Sequence, residues 1–210
     1  GTKIILPFPS VGTTENIIIA SAISKGKTII VNPAREPEIS DLADFLNHCG
    51  AKIYGAGEST IVIDGVKRLK PCEHTIIPDR ILASTYMSLG AVCSKELTVN
   101  NIRQSHLSPV FPVFTEMGCK IYLSDNSLTL VSPKKLKRVR SIKTMPYPGF
   151  PTDSQSPVAV ALALAKGTSI LQETIFENRF RYVSELNRFG TDIEIKDNIA
   201  VINGVDKLHS

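Results

Sequence analysis

The stretch PTDSQSPVAVALALAKG, residues 151–167, decides how the chain is read. From Val158 to Ala165 it contains only Val, Ala and Leu. A helix that is apolar on every side belongs in an interior rather than over one. Yet Asp153 stands at its mouth. A carboxylate there is either an ordinary cap for the free amides of the first turn, or an acid, base or hydrogen-bond acceptor held on a rigid platform. The stretch alone leaves both open.

Two other segments have the same character, NIIIASAIS (16–24) and ILASTYMSLGAV (81–92). Each of the three opens a repeated layout. SAISKGKTIIVN, ISDLADFLNHCGAKIYG and STIVIDG form the first set. YMSLGAVCSKELTVNN, LSPVFPVFTEMGCKIYL and NSLTLVS form the second, and ALALAKGTSILQE, VSELNRFGTDIEI and NIAVING the third. A fixed-order recurrence of this kind marks a repeat architecture. Each unit reads as strand, helix, strand, helix, strand, strand. The opening strands are TKIIL, HTIIP and RSIKT; the first helices are predicted at 14–24, 79–93 and 153–165. Apolar residues three and four apart predict second helices at 38–49, 106–117 and 181–189, with Pro37 suited to a first turn. Gly50, Gly118 and Gly190 follow these helices as left-handed ends. LSDNS and KDN supply turns for closing hairpins. Three all-apolar helices imply an α/β architecture with helices inside and sheets outside.

The 210 residues are 42% hydrophobic and 21% charged, an ordinary globular balance with room for a sizeable core. No apolar run is long enough for a membrane span. GTKIILPFPS lacks a basic segment followed by a long apolar core, so no signal peptide is read. Cys49, Cys72, Cys93 and Cys119 form neither a CxxC pair nor a metal-spaced cluster; they are expected to be small buried thiols in a reducing cytosol. No metal or cofactor is expected. The net charge of +4 is concentrated in SPKKLKRVRSIK (132–143). A nucleic-acid patch uses such a run. With no Trp and no motif of a nucleic-acid fold beside it, a solvated connection leading into a strand is the better reading.

Polar groups gather where the apolar helices begin. SVGTTEN (10–16), PDRIL (78–82) and PTDSQ (151–155) each meet the positive end of a helix, where backbone NH groups lack partners. Ser10, Val11 and Gly12 suit a phosphate, and equally a turn with an N-cap. Asp79 and Asp153 also fit plain caps. QETIFENRFRYV (172–183) crowds Glu173, Glu177, Asn178, Arg179 and Arg181 into one connection, and NPAREPEI (32–39) is its counterpart with Arg35, Glu36 and Glu38. Such loops carry a site or a salt-bridged surface.

Together PSVGTTEN, NPAREPEI, AKIYGAGE, IPDRI, MPYPGFPTDSQ and TIFENRF resemble, in order and spacing along the whole chain, the UDP-N-acetylglucosamine 1-carboxyvinyltransferase family of enolpyruvyl transferases. The sister family, 5-enolpyruvylshikimate-3-phosphate synthase, shares the fold but not this set of phrases. The resemblance implies an inside-out α/β barrel, with three βαβαββ units to each of two lobes. Residues 1–76 would be the last unit of one lobe and 77–210 two units of the other. It implies transfer of enolpyruvyl from phosphoenolpyruvate to the 3′-hydroxyl of UDP-N-acetylglucosamine in the cytoplasm, the first committed step of peptidoglycan synthesis. Asp153 matches the aspartate that contacts that hydroxyl and is proposed to deprotonate it. Ser10, Val11 and Gly12 match the loop for the nucleotide diphosphate. Ile175, with Phe176 beside it, matches a contact to the sugar nucleotide, and Arg179, Arg80, Asp79 and Glu36 match polar positions of the cleft.

The family's early Lys-Asn pair, its cysteine-bearing loop and its late arginines have no counterpart here. Phe8 stands where many members carry a basic residue, and Ser154 where they carry Met or Leu. The chain is therefore expected to hold half of a site and to be inactive alone. Exposed unit edges favour a homodimer. Two other functions compete: a non-catalytic module that binds UDP-sugars, and an enzyme of the shikimate type.

Overall fold

In β4, Thr60–Asp64, every second residue is buried, and Ile61 and Ile63 are wholly so. That alternation recurs in β7, Ser127–Val131, and β11, Ile199–Asn203. It identifies the strands that lay one face on a core. The computed structural model describes residues 1–209, in which β4, β7 and β11 are each an inner strand of a separate sheet.

The chain divides into a first unit, Gly1–Ile77, and a second that begins at Pro78. The first contains β1 (Lys3–Ile5), α1 (Val11–Ala22), β2 (Lys27–Val31), α2 (Pro37–His48), β3 (Ile53–Tyr54) and β4. Its sheet runs β1-β2-β4-β3, with β1 parallel to β2 and the other pairs antiparallel. Ile18, Ile30, Ile39, Ile61 and Ile63 are among the residues of its core.

The second unit holds two further sheets. α3 (Arg80–Cys93), β5 (Glu96–Asn100), α4 (Gln104–Leu107), α5 (Phe111–Glu116), β6 (Lys120–Ser124) and β7 accompany the sheet β5-β7-β6. β8 (Ile142–Lys143), a 3-10 turn (Thr152–Ser154), α6 (Gln155–Ala163), β9 (Thr168–Gln172), a second 3-10 turn (Arg179–Arg181), α7 (Tyr182–Arg188), β10 (Asp192–Lys196) and β11 accompany the sheet β10-β11-β9-β8. β8 runs parallel to β9, as β1 does to β2. One core serves both sheets of this unit, with Met87 of α3, Phe114 of α5 and Leu162 of α6 fully buried in it.

Several expectations need correction. Among the described residues no sheet closes on itself; the three are open. HTIIP forms no strand. Its start and the residues before it are tied to α2: the Lys70 amide donates to the Cys49 carbonyl at 2.8 Å, and the His74 ring sits 3.0 Å from Asp41. The sheet of β5 keeps three strands. The second helix predicted at 106–117 is two short helices, because Pro109 and Pro112 each lack the NH that would continue the ladder. α1 and α3 are not apolar interiors on every side: Ile19 and Ile23 of α1, and Leu82, Tyr86 and Leu89 of α3, are exposed. α6 alone of the three meets that expectation, with Val158, Ala159, Ala161, Leu162 and Ala163 buried. Cys93 is exposed rather than buried.

Gly50, Gly118 and Gly190 take φ of +99°, +92° and +86° at the ends of α2, α5 and α7, the conformation that a Cβ disfavours. The basic stretch 132–143 is the connection from β7 to β8, anchored by buried Leu136 and Val139, with Lys135 paired to Asp206.

Candidate functional site

In the first unit the site begins at Ser10. It is the N-cap of α1, in extended conformation, and its hydroxyl oxygen accepts from the Thr13 amide at 3.3 Å. Val11 and Gly12 occupy the first helical positions, where an amide has no acceptor within its own helix. A Cβ added to Gly12 would meet nothing within 4 Å, so packing does not demand glycine there. The Thr14 hydroxyl donates to the Ser10 carbonyl at 2.8 Å and accepts from the Ala34 amide at 2.9 Å. Buried Thr14 thus ties the 32–36 loop to the start of α1. The loop ends in Glu36, itself buried, which stands at the N-cap position of α2. Ser10, Val11, Gly12 and Glu36 therefore share one end of this unit.

In the second unit, Asp79 is a true N-cap: its carboxylate accepts from the Ile81 and Leu82 amides at 2.7 and 3.0 Å. The guanidinium of Arg80 lies 5.6 Å from the centre of the Tyr147 ring. Asp153 does not cap. It lies inside the 3-10 turn, and α6 starts at Gln155 with no side-chain cap. Its carboxylate is paired instead with Arg179, whose guanidinium also lies 5.5 Å from the Phe176 ring centre. The Asp153 side chain is 58% exposed and that of Arg179 38%.

The turn carrying Asp153 is anchored by its neighbours. Thr152, Ser154 and Gln155 are all buried. The Ser154 and Ser84 hydroxyls meet at 2.6 Å, joining the turn to α3. Thr152 Oγ1 and Gln155 Nε2 donate to one oxygen of Glu173, at 2.8 and 2.6 Å. Its other oxygen accepts from the Ile175 and Phe176 amides at 2.7 and 3.0 Å. Burial pushes the Glu173 carboxyl up, but hydrogen bonds from Thr152, Ile175, Phe176 and Thr144 outweigh it and hold the group below the ordinary carboxylate range. The Gln155 carbonyl accepts from Tyr182 Oη at 3.0 Å, and burial, with the Glu173 charge nearby, pushes that phenol well above its usual range.

Glu173 is thus the centre of the site's support. In the sequence Glu173 is one member of a charged cluster with no role of its own, and Thr152, Gln155 and Tyr182 have none either. The available signal is Gln155 itself, an amide at the start of a helix that from Val158 onward contains only Val, Ala and Leu. Glu173, Phe176 and Arg179 line an open groove of about 760 Å³, together with Glu177, Asn178 and Asn198. Among the described residues, no group of three or more His, Cys, Asp or Glu side chains is placed to hold a metal ion.

Two open α/β sheets of matching strand order and a polar site at helix starts define a class. All of residues 1–210 match the family described as EPSP synthase (3-phosphoshikimate 1-carboxyvinyltransferase), and the chain belongs to it. It is similar to UDP-N-acetylglucosamine 1-carboxyvinyltransferase 2 of Caldanaerobacter subterraneus subsp. tengcongensis, with 50% identity over 99% of this chain and 50% of that protein. It is also similar to UDP-N-acetylglucosamine 1-carboxyvinyltransferase of Finegoldia magna, with 47% identity over 99% of this chain and 49% of the relative. Among solved structures, the enolpyruvyl transferase NikO from Streptomyces tendae superposes with a TM-score of 0.83 at 25% identity, over 94% of this chain and 47% of NikO. The chain spans about half the length of these relatives.

Proposed function

We propose that this chain is part of an enolpyruvyl transferase that moves the enolpyruvyl group of phosphoenolpyruvate to the 3′-hydroxyl of UDP-N-acetylglucosamine, releasing phosphate, as a step of peptidoglycan synthesis. The names of the relatives at 47–50% identity support this acceptor. The observation that carries the chemistry is the state of Asp153. Its carboxylate is not used up on helix amides; it is held at the protein surface by Arg179, on a turn whose other side chains are buried.

A hydroxyl that docks against Asp153 gains an acceptor in fixed position. Half-exposed, that carboxylate is a weak base toward an alcohol. Bound substrate that displaces water from the Asp153–Arg179 pair strengthens the interaction and makes proton removal effective. Arg179 holds the carboxylate in place, and its partner Phe176 offers an apolar face to the sugar. The Ser10 hydroxyl and the Val11 and Gly12 amides bind the nucleotide diphosphate, whose negative charge suits the N-terminus of α1. Asp79, Arg80 and Glu36 line the cleft.

In this reading residues 1–76 and 77–210 belong to different lobes, and the apolar faces of α1 and α3 are completed by the units that make each lobe a closed inside-out barrel. The chain by itself is inactive, because the groups that grip phosphoenolpyruvate and the general acid lie outside it. The test is an NMR titration with UDP-N-acetylglucosamine. Saturable shifts of the Ser10–Gly12 amides and of Asp153 are expected. Silence at both places in millimolar ligand, while uridine diphosphate and shikimate-3-phosphate are run beside it, refutes a preformed acceptor site.

A further inference from the structure

We propose that Cys49 and Cys72 are a site of reversible disulfide formation, which fastens the segment after β4 to the C-terminal end of α2. Their sulfurs lie 3.2 Å apart, in thiol–thiol contact, although 23 positions separate them. Nothing in the functional site uses either residue.

The backbone around both cysteines is already held. Cys49 is the C-cap of α2. Its carbonyl accepts from the Lys70 amide at 2.8 Å, two residues before Cys72. Two residues after Cys72, His74 bonds Asp41 at 3.0 Å, and its ring packs on those of Phe45 and His48 at 5.5 and 5.8 Å. A bond about 2.05 Å long therefore needs the two sulfurs to approach by about 1 Å from their contact at 3.2 Å.

The two thiols are unequally accessible. Cys49 is buried and Cys72 is half-buried, so a soluble oxidant reaches Cys72 first. With a hydroperoxide, the Cys72 thiolate attacks the distal oxygen, the O–O bond breaks, and Cys72 becomes a sulfenic acid as the leaving oxygen takes a proton. Cys49 sulfur then displaces water from that sulfenic sulfur, forming the S–S bond and breaking S–O. Overall two thiols and one hydroperoxide give one disulfide, one alcohol or water, and one further water. The hydrogen bond that the Cys72 thiol makes with Cys49, with burial behind it, pushes that thiol up, so the reaction quickens as pH rises. The other two cysteines are unsuited. Cys93 is exposed, with no sulfur partner, and burial pushes the Cys119 thiol up to about 11.

The experiment treats the chain with hydrogen peroxide under native conditions, blocks free thiols, and maps peptides by mass spectrometry. A Cys49–Cys72 crosslink that dithiothreitol removes is expected, together with slower amide hydrogen exchange across residues 70–74 and a higher thermal midpoint. Cys72→Ser abolishes the crosslink and leaves Cys49 free. The proposal is overturned if wild-type Cys72 accumulates as sulfinic acid while Cys49 stays free, or if Cys72 pairs with Cys93. Wild-type mapping decides between these outcomes even where a variant fails to fold.

Discussion

The hydroxyls of Ser84 and Ser154 meet at 2.6 Å, and neither residue has any exposed surface. Ser84 already donates to the Ile81 carbonyl at 2.9 Å, so the proton between the two serines belongs to Ser154. The contact fixes the turn that carries Asp153 against α3.

The order of donation makes the two serines unequal. Ser154→Ala leaves Ser84 still bonded to Ile81 and is expected to cost about 1 kcal/mol, whereas Ser84→Ala strands a buried donor and is expected to cost about 1–3 kcal/mol. The double variant should cost less than the sum of the two. Urea denaturation of the four proteins measures this; equal single costs with strict additivity would contradict the assigned direction.

Glu173 should give the fold an acid-sensitive component. Its carboxyl is held low in the folded chain, so its contribution is present above the unfolded carboxyl range near about 4.3 and is lost as pH falls through the lower folded value. Glu173→Gln places an amide among donors and is expected to cost about 2–3 kcal/mol at neutral pH. The gap between wild type and variant should narrow below about pH 4. Denaturation curves at several pH values read it out, and a gap that widens on acidification would exclude this account.

Gly12→Ala separates packing from binding. Open space surrounds the new Cβ, so stability should hold or rise by up to about 1 kcal/mol, as for glycine replaced in a helix. Affinity for UDP-N-acetylglucosamine should fall at least about tenfold, because the methyl occupies the approach of the diphosphate. Calorimetric titration beside a melting curve tests both halves; unchanged affinity removes Gly12 from the site.

Asp153→Asn should leave the fold nearly unchanged, since exposed ion pairs contribute about 0–1 kcal/mol. In the longer protein that this chain resembles, the corresponding change should lower turnover by about 10²–10⁴. Near wild-type turnover would dismiss the aspartate as a base.

The elements whose signal is local are legible in the sequence. STIVIDG and NIAVING are marked as strands by their place in the repeat, and glycines after α2, α5 and α7 mark helix ends. Those that distant contacts decide are not. HTIIP has strand composition, but Asp41 and Cys49 hold its approach elsewhere. Asp153 has the position of a cap, but Arg179, 26 residues on, takes it away. Glu173 looked like one charge in a charged loop, because its burial depends on Thr152 and Gln155 from another element. The faces of α1 and α3 were overread: an apolar helix states that a face is to be covered, not by what.

Gln155 has both ends of its amide committed, the nitrogen to Glu173 and the oxygen to Tyr182. A flipped amide would set carbonyl against carboxylate and NH₂ against a donor. Positions 155, 173 and 182 are therefore expected to change together or not at all. A lineage that loses one of the three is left with a mismatched remainder, and drift at this site is expected to proceed by compensated changes rather than single neutral ones. The turn that presents Asp153 would be inherited along with them.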